Sequence, residues 1–178
     1  MGDPRKLRKH YRRPTHPFNK GRFEEEIQYM GRFGLRNKKE IWKAQTKLRN
    51  YRARARKSLA LPEDQREKER QVLTSKLYNL GIMPSADAPI DEVLSLNVEM
   101  FLKRRLQSFV LELGLAKTPW MARQLIVHGH IIVAGRKVSS PSYHVKRKDE
   151  ELIQYAPDSP YNDPAHPALT LPTTGSST

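Results

Sequence analysis

Positive charge is concentrated in two blocks of this 178-residue chain, and these blocks restrict where a hydrophobic core can form. Residues 1–60 contain 19 Lys or Arg against 5 Asp or Glu, and residues 102–148 contain 10 against 1. Residues 61–101 and 149–178 carry net charges of −4 and −5. Soluble surfaces normally mix both signs. Blocks of one sign therefore indicate a polyanionic partner, either a nucleic acid or an anionic membrane.

Several classes of protein are excluded by what the sequence lacks. No apolar run approaches the roughly 20 residues of a membrane-spanning helix, and the first thirty residues are too basic for a signal peptide. The chain has no cysteine, so disulfides, thiolate-bound zinc and iron–sulfur clusters are excluded. We therefore expect a soluble protein that is not secreted and has no cofactor.

The amino-terminal region predicts a basic arm followed by a long basic helix. Residues 1–23 carry eight Lys or Arg and three prolines, which predicts an extended arm that is either solvated or folded against phosphates. Asn37 and Glu40 have capping-box spacing at the start of a helix that ends near Leu59. Between residues 38 and 57 nine Lys or Arg face one acid, so few helical ion pairs can form. The apolar stripe of this helix contains Ile41, Ala44, Leu48, Tyr51, Ala55 and Leu59. One aromatic ring and two alanines are too little for strong membrane insertion, so we expect a phosphate backbone and no membrane as the partner.

A second helix is predicted from Pro62 to Leu80, with acids in its first turn and a glycine after its end. Its packing face contains Val72, Leu73, Leu77 and Leu80. Prolines at 84 and 89 indicate a connection, after which a short helix begins near residue 91.

The segment after Asn97 predicts a compact α+β unit. Apolar residues at spacings of three and four predict one amphipathic helix from Asn97 to Gly114, and a second runs from Thr118 to Gly129. The chain then changes to short β-branched runs at 130–133 and 136–138, joined by an Ala-Gly turn, and a further strand is expected at 151–155. Two helices therefore pack on a short, hairpin-rich sheet.

The predicted fold class is α+β, in which a basic helical domain with an extended arm is joined to this small unit. The predicted domains are 1–101, 102–155 and a tail at 156–178. The tail has five prolines, two acids and no Lys or Arg. Such a composition predicts a Pro-rich acidic tail outside any core.

Motifs in both parts resemble a known family. Met1-Gly2-Asp3-Pro4, and Phe33 to Glu40 leading into Trp42, resemble the amino-terminal region of the S4 family of small-subunit ribosomal proteins in its archaeal and eukaryotic form. The resemblance covers about residues 1–155, with one departure at Ala134-Gly135, where many members have Asn-Gly. The motifs that resemble the S4 RNA-binding domain are Arg104-Arg105-Leu106, Leu113-Gly114-Leu115-Ala116, Ala122-Arg123-Gln124-Leu125-Ile126, His128-Gly129-His130-Ile131 and Pro141-Ser142-Tyr143.

The resemblance implies a structural constituent of the small ribosomal subunit, located in the cytoplasm, with no catalytic residues and no small-molecule substrate. It implies binding to small-subunit (16S) rRNA at a multi-helix junction, nucleation of assembly of the subunit body, neighbouring ribosomal proteins as partners, and a position near the mRNA entry side. The alternatives are an RNA-modifying enzyme with an appended S4 domain and an RNA chaperone outside the ribosome. The sequence contains no phosphate-binding loop or nucleophile elbow that would favour an enzyme.

The predicted RNA contacts are mostly cations, because an A-form duplex is recognised through its phosphates and its shallow minor groove. Six of them, Arg104, Arg105, Lys117, Arg123, Arg136 and Lys137, are expected to form one continuous face. The full set is Arg5, Lys6, Arg8, Lys9, Arg12, Arg13, Arg36, Lys38, Lys39, Lys43, Lys47, Arg49, Arg52, Arg104, Arg105, Lys117, Arg123, Gln124, His128, His130, Arg136, Lys137, Ser142 and Tyr143.

Two weaker interpretations concern histidines and aromatic residues. His128 and His130 are close enough in sequence to suggest a metal site, but the other histidines are scattered and no cysteine is present, so no metal is expected. Trp120 and Tyr143 either stack on bases or pack on the small core. Trp42 is assigned to helix packing.

Overall fold

Seven α-helices and three short strands occur in the part of the chain that the computed structural model describes, residues 9–163 and His166. Two 3-10 helices, Arg147–Leu152 and Pro160–Asn162, lie near its end. Among these residues no helix has the length and apolar character needed to cross a membrane. The helices are α1 (Lys20–Phe33), α2 (Lys38–Leu59), α3 (Glu63–Asn79), α4 (Ile90–Ser95), α5 (Val98–Lys103), α6 (Leu106–Glu112) and α7 (Pro119–Val127), and the strands are β1 (Ile131–Val133), β2 (Arg136–Lys137) and β3 (Ile153–Tyr155).

Helix α2 is the centre of the amino-terminal unit and packs against α1, α3, α4 and α5. Four residues of its predicted stripe are buried in one hydrophobic core, together with Leu73 and Leu77 of α3. The prediction that Leu59 and Val72 pack in this core is wrong, since Leu59 is 45% and Val72 is 52% exposed. Leu59 is the last residue of α2. Val72 directly precedes Leu73, and this step of about 100° around the axis of α3 turns its side chain away from α2.

Helix α1 begins inside the predicted arm, so the arm is shorter than expected and residues 20–23 are helical. The Asn19 side chain caps the helix by accepting a hydrogen bond from the Arg22 amide at 3.2 Å. Residues 9–19 lie along α2, where the Arg12 amide donates to Thr46 Oγ1 at 3.0 Å and the rings of Tyr11 and Trp42 are 6.2 Å apart.

The single helix predicted from Asn97 to Gly114 is wrong, because α5 and α6 are separated at Arg104 and Arg105. At this break the chain forms a short antiparallel bridge with the segment around His144. The Val145 amide donates to the Arg104 carbonyl at 2.9 Å, and the Leu106 amide donates to the Tyr143 carbonyl at 2.8 Å. These bonds take backbone groups that a continuous helix would have used internally.

The carboxy-terminal unit has its own core beneath α6 and α7 and a three-stranded antiparallel sheet in the order β2-β1-β3. The predicted hairpin turn is present, with φ of 49° at Ala134 and 76° at Gly135. The third strand begins at Ile153 rather than at residue 151, because residues 147–152 form a 3-10 helix.

The predicted separation of the tail from the core is wrong for residues 156–163. The Ala156 amide donates to the His130 carbonyl at 2.8 Å, which continues the pairing of β3 past its end. Ala156 and Ser159 are buried, and Tyr161 packs against the second core. The proline at 160 begins a 3-10 helix, where its fixed φ is favourable, so it supports local structure here instead of breaking it.

Candidate nucleic-acid interface

A cleft of about 450 Å³ lies between α2 and the carboxy-terminal unit. We call it the basic cleft, because its wall includes five cations and one acid. The acid, Glu40, has two of these cations bound to it. The residues that define the basic cleft are Lys39, Glu40, Lys43, Lys47, Arg105, Arg123, Ser142 and His144.

Glu40 joins the two units at the floor of the basic cleft. Its carboxylate accepts hydrogen bonds from the guanidinium groups of Arg105, at the α5–α6 break, and Arg123, on α7, the latter at 2.9 Å. Arg105 is only 5% exposed, and the Glu40 side chain is 13% exposed. Burial works to raise the pKa of Glu40, but the hydrogen bonds and charges of Arg123 and Arg105 outweigh it and hold the pKa below its usual value of 4.5.

The same contact carries hydrogen bonds to the chain before α2. The buried amide of Gln107 donates to the carbonyl of Gly34 at 2.9 Å and to that of Pro119 at 2.8 Å. Gly34 has a φ of 57°, and a Cβ there would lie 2.5 Å from Pro119. Only glycine fits this close approach, so the two units are fixed to each other at a short distance.

The α2 wall of the basic cleft presents three lysines, Lys39, Lys43 and Lys47, at spacings of four residues. Residues four apart lie on one side of a helix, so these ammonium groups form a row. Within residues 9–163 no acid forms a salt bridge with any of the three. This row is the strongest uncompensated positive feature of the cleft.

The pKa values of two cleft residues are lowered, first by burial and then by this positive charge. Partial burial, and then the charges of Arg105 and Lys43, lower the pKa of Lys47 below its usual 10.5. Burial, and then the charges of Lys47, Arg105 and Arg104, lower the pKa of His144 from 6.5 to about 4. Both effects would be relieved by an anion in the cleft, since the charged form of each group would gain a partner.

Three predicted arm contacts, Arg5, Lys6 and Arg8, lie outside the described residues. Lys9, Arg12 and Arg13 are exposed, as are Arg36 and Arg49. Lys38 is already occupied, because its Nζ lies 3.2 Å from Glu26 Oε2 and 3.4 Å from the centroid of the Phe23 ring. The Arg52 guanidinium donates to the carbonyl of Leu96 at 2.5 Å, and Leu96 belongs to the core of the amino-terminal unit.

The expectation of one continuous face formed by six cations is not met. Arg105 is buried on Glu40, and the Arg104 side chain is 11% exposed between Glu150 and the Phe109 ring. Arg123 also bonds Glu40, with its side chain 22% exposed. The physical reason is that acids distant in sequence neutralise these arginines, which a local count of charges does not reveal.

The remaining predicted residues are divided between two surfaces. Gln124 and Trp120 on α7, and His128 directly after its end, are exposed, while Arg136 and Lys137 are exposed on β2. Lys117 is half-buried.

Two of the predicted contacts are engaged by the tail, and one by the core. Lys137 Nζ lies 2.6 Å from Asp158 Oδ2, and His130 Nδ1 lies 3.2 Å from Ser159 Oγ. Tyr143 packs on the core of the carboxy-terminal unit, which was one of the two roles predicted for it. Ser142 is exposed in the basic cleft.

His144 and Glu40 were missed as cleft residues by reasoning from sequence. His144 could have been found, because in an extended segment alternate residues share a side and Ser142 was already a candidate. Glu40 was assigned to a capping box. Its carboxylate does accept the Arg36 amide at 3.3 Å, but the Asn37 side chain makes no capping bond.

Two family profiles match adjoining parts of the chain. The profile described as "Ribosomal protein S4/S9 N-terminal domain" matches residues 4–103. The profile described as "S4 domain" matches residues 104–151. Their junction lies at the α5–α6 break, beside Arg105 and the basic cleft. The fold is therefore of the class in which a basic helical unit is joined to an S4 domain.

Full-length relatives define the family more narrowly. The protein named "Small ribosomal subunit protein uS4" from Hyperthermus butylicus is 53% identical over 161 residues, which are 90% of this chain and 91% of that protein. Those of the same name from Ignicoccus hospitalis and Methanococcus aeolicus are 55% and 48% identical, covering 90% and 96% of this chain and 96% of each relative. The chain belongs to the uS4 family, which confirms the resemblance and the α+β fold predicted from the sequence.

Proposed function

We propose that this chain is a structural, non-catalytic component of the small ribosomal subunit that binds small-subunit (16S) rRNA through the basic cleft. Membership of the uS4 family supports the role, and the observation that carries the site is the row Lys39, Lys43 and Lys47. Helix α2 holds these ammonium groups at fixed intervals opposite Ser142 of the S4 domain. A rigid row of cations suits a phosphate backbone, which repeats a negative charge at regular distances.

The cleft binds RNA by charge and shape. Lysine ammonium groups neutralise phosphates and release counterions, while the Ser142 hydroxyl and the neutral His144 ring supply hydrogen bonds. The ion pairs of Arg105 and Arg123 with Glu40 position the two walls and leave little of either guanidinium for RNA. The exposed side chains of Gln124, His128 and Arg136 supply further RNA contacts elsewhere on the S4 domain.

Finer features of the role are also proposals. Binding at a multi-helix junction fits two walls that approach from different units, because each can contact a different RNA helix. Early binding that nucleates the subunit body, contacts with neighbouring ribosomal proteins, and a location near the mRNA entry side are expected from the family resemblance. We retain the division into 1–101 and 102–155, with residues 156–163 added to the second part.

The test is a binding titration of the full chain with a transcript of the small-subunit rRNA at several salt concentrations. We expect affinity to fall steeply with salt, and Lys43→Gln to weaken binding and flatten the dependence by about one phosphate contact. Lys68→Gln, at an exposed position of α3, is the matched control and should leave the affinity and its salt dependence unchanged. Salt-independent binding of the wild-type chain would contradict the proposal.

Sedimentation distinguishes a ribosomal component from an RNA chaperone. A structural component stays with purified small subunits through a salt wash that removes loosely bound proteins. Recovery of the chain only in the wash would favour the chaperone.

A further inference from the structure

A second groove, of about 600 Å³, lies at the start of α2, between residues 13–19 and α1. We call it the aromatic groove. Its wall combines three aromatic rings with exposed cations. The residues that define the aromatic groove are Arg13, Phe18, Phe23, Lys39 and Trp42. Phe18 and Phe23 belong to neither of the two hydrophobic cores of the described chain.

Phe18 is held in an exposed position by the chain on both sides of it. The Arg22 guanidinium donates to the carbonyls of His16 at 2.6 Å and Pro17 at 2.9 Å, and the Asn19 cap fixes the residue that follows. Phe18 is nevertheless 98% exposed. The ordered backbone here has lost chain entropy, and the large apolar side chain that it presents gains no burial, so Phe18 is suited to a partner that covers it.

The one acid that lines the groove in the described chain is already neutralised. Glu26 is 2% exposed and accepts a hydrogen bond from Trp42 Nε1 at 2.9 Å, with Arg22 Nε at 3.3 Å and Lys38 Nζ at 3.2 Å. Within residues 9–163 no acid forms a salt bridge with Arg13 or Lys39. The groove therefore presents net positive charge and selects an anionic partner.

Lys39 lines both the basic cleft and the aromatic groove. A polyanion bound in the cleft can therefore continue past this lysine into the groove. Aromatic rings beside cations are the combination that binds unpaired nucleotides, because the ring stacks on the base while the cation holds the phosphate. A peptide with acidic side chains could pair with the cations of the groove. It would not explain why Lys39 belongs to both the groove and the basic cleft.

We propose that the aromatic groove binds an unpaired nucleotide of the RNA, with its base stacked on Phe18 and its phosphate held by Arg13 and Lys39. The inference rests on the proposed function, and it adds a site for single-stranded RNA next to the site for the phosphate backbone. Phe23 contributes an edge of the wall and is itself covered in part by Lys38.

The test compares two variants at one position, with short oligoadenylate as the single-stranded probe and a blunt RNA duplex as the reference. Phe18→Leu keeps an apolar side chain but removes the ring face, whereas Phe18→Trp keeps a ring. We expect Phe18→Leu to weaken oligoadenylate binding about tenfold, with an unchanged salt dependence, because stacking contributes no phosphate contact. Phe18→Trp should bind at least as tightly as wild type, and duplex binding should be the same in all three.

Leu59→Ala is the control for loss of an exposed apolar side chain elsewhere on the same unit, and it should bind oligoadenylate normally. In a Trp120→Phe background, Trp42 is the one remaining tryptophan, and its fluorescence should change as oligoadenylate fills the groove. Equal oligoadenylate affinities for wild type and Phe18→Leu would overturn the proposal while leaving rRNA binding intact. Normal RNA binding by Phe18→Leu with loss of a neighbouring protein from the subunit would show a protein-docking site instead. Failure of the wild-type chain to bind rRNA would refute the proposed function itself.

Discussion

Replacing Glu40 by glutamine should destabilise the protein by about 3 kcal/mol, because it leaves two arginines at a buried contact without their counter-charge. A hydrogen bond to a charged group contributes about 1.5–3 kcal/mol, and breaking a buried ion pair costs about 3–5 kcal/mol. The expected value lies at the low end of that range, since Gln keeps one acceptor oxygen and the Arg123 side chain is 22% exposed.

Urea unfolding of the full chain, followed by circular dichroism, measures this change. The matched control is Glu24→Gln, because the Glu24 side chain is 60% exposed and 4.0 Å from Lys20, and such surface pairs contribute about 0–1 kcal/mol. A loss below about 0.5 kcal/mol in Glu40→Gln would refute the argument that Glu40 joins the two units.

The pH dependence gives the same prediction a second readout. The pKa of Glu40 is lowered in the folded protein, so its stabilisation is fully present above the usual value of 4.5 and is lost as the pH falls through the lower folded value. The difference in stability between wild type and Glu40→Gln should therefore shrink at strongly acidic pH. A constant difference down to the lowest pH at which the protein folds would contradict the assignment.

Three further predictions concern the cleft and the hairpin. The double change Lys43→Gln and Lys47→Gln should lower the slope of log affinity for rRNA against log salt by about 2, with unchanged circular dichroism, and an unchanged slope would exclude these contacts. Ala134 has a φ of 49°, which costs a residue with a Cβ about 1 kcal/mol, so Ala134→Asn should raise the free energy of unfolding by up to that amount in urea titrations. The pKa of His144 is lowered to about 4 in the folded protein, so between pH 6.5 and 4 the unfolded chain takes up a proton that the folded chain does not. The free energy of unfolding should therefore fall by on the order of 2 kcal/mol over this range, and His144→Gln should remove that part of the pH dependence.

Local signals in the sequence were sufficient for the elements that have local causes. Thr118 and Pro119 begin α7 as predicted, with Thr118 Oγ1 accepting from the Met121 amide at 3.1 Å. The hairpin turn followed from two residues. By contrast, the α5–α6 break depends on hydrogen bonds to residues about forty positions away, around His144. The sequence of the helix itself contains no signal that identifies the segment around His144 as its partner.

The same distinction explains which site predictions changed. Lys43 and Lys47 remained available, because α2 contains one acid and the helix cannot neutralise its own cations. Arg104 and Arg105 had equally few acids nearby in sequence, yet each is paired with a glutamate more than forty residues away. A count of neighbouring charges predicts the field of a block, but only the fold decides which members of the block face solvent.

The two basic blocks therefore have different physical roles. In the S4 domain Arg105 and Arg123 are paired with Glu40 of α2, which orders the contact between the units, and Arg104 is paired with Glu150 of the same domain. The lysines of α2 stay exposed and supply the attraction. Coulomb energy at a buried contact is large and insensitive to salt, whereas exposed charges are screened over about 10 Å at 0.1 M salt. Raising the salt concentration should thus release RNA long before it separates the two units. A salt titration in which loss of RNA and loss of the folded contact coincide would show that the two sets of cations do not divide in this way.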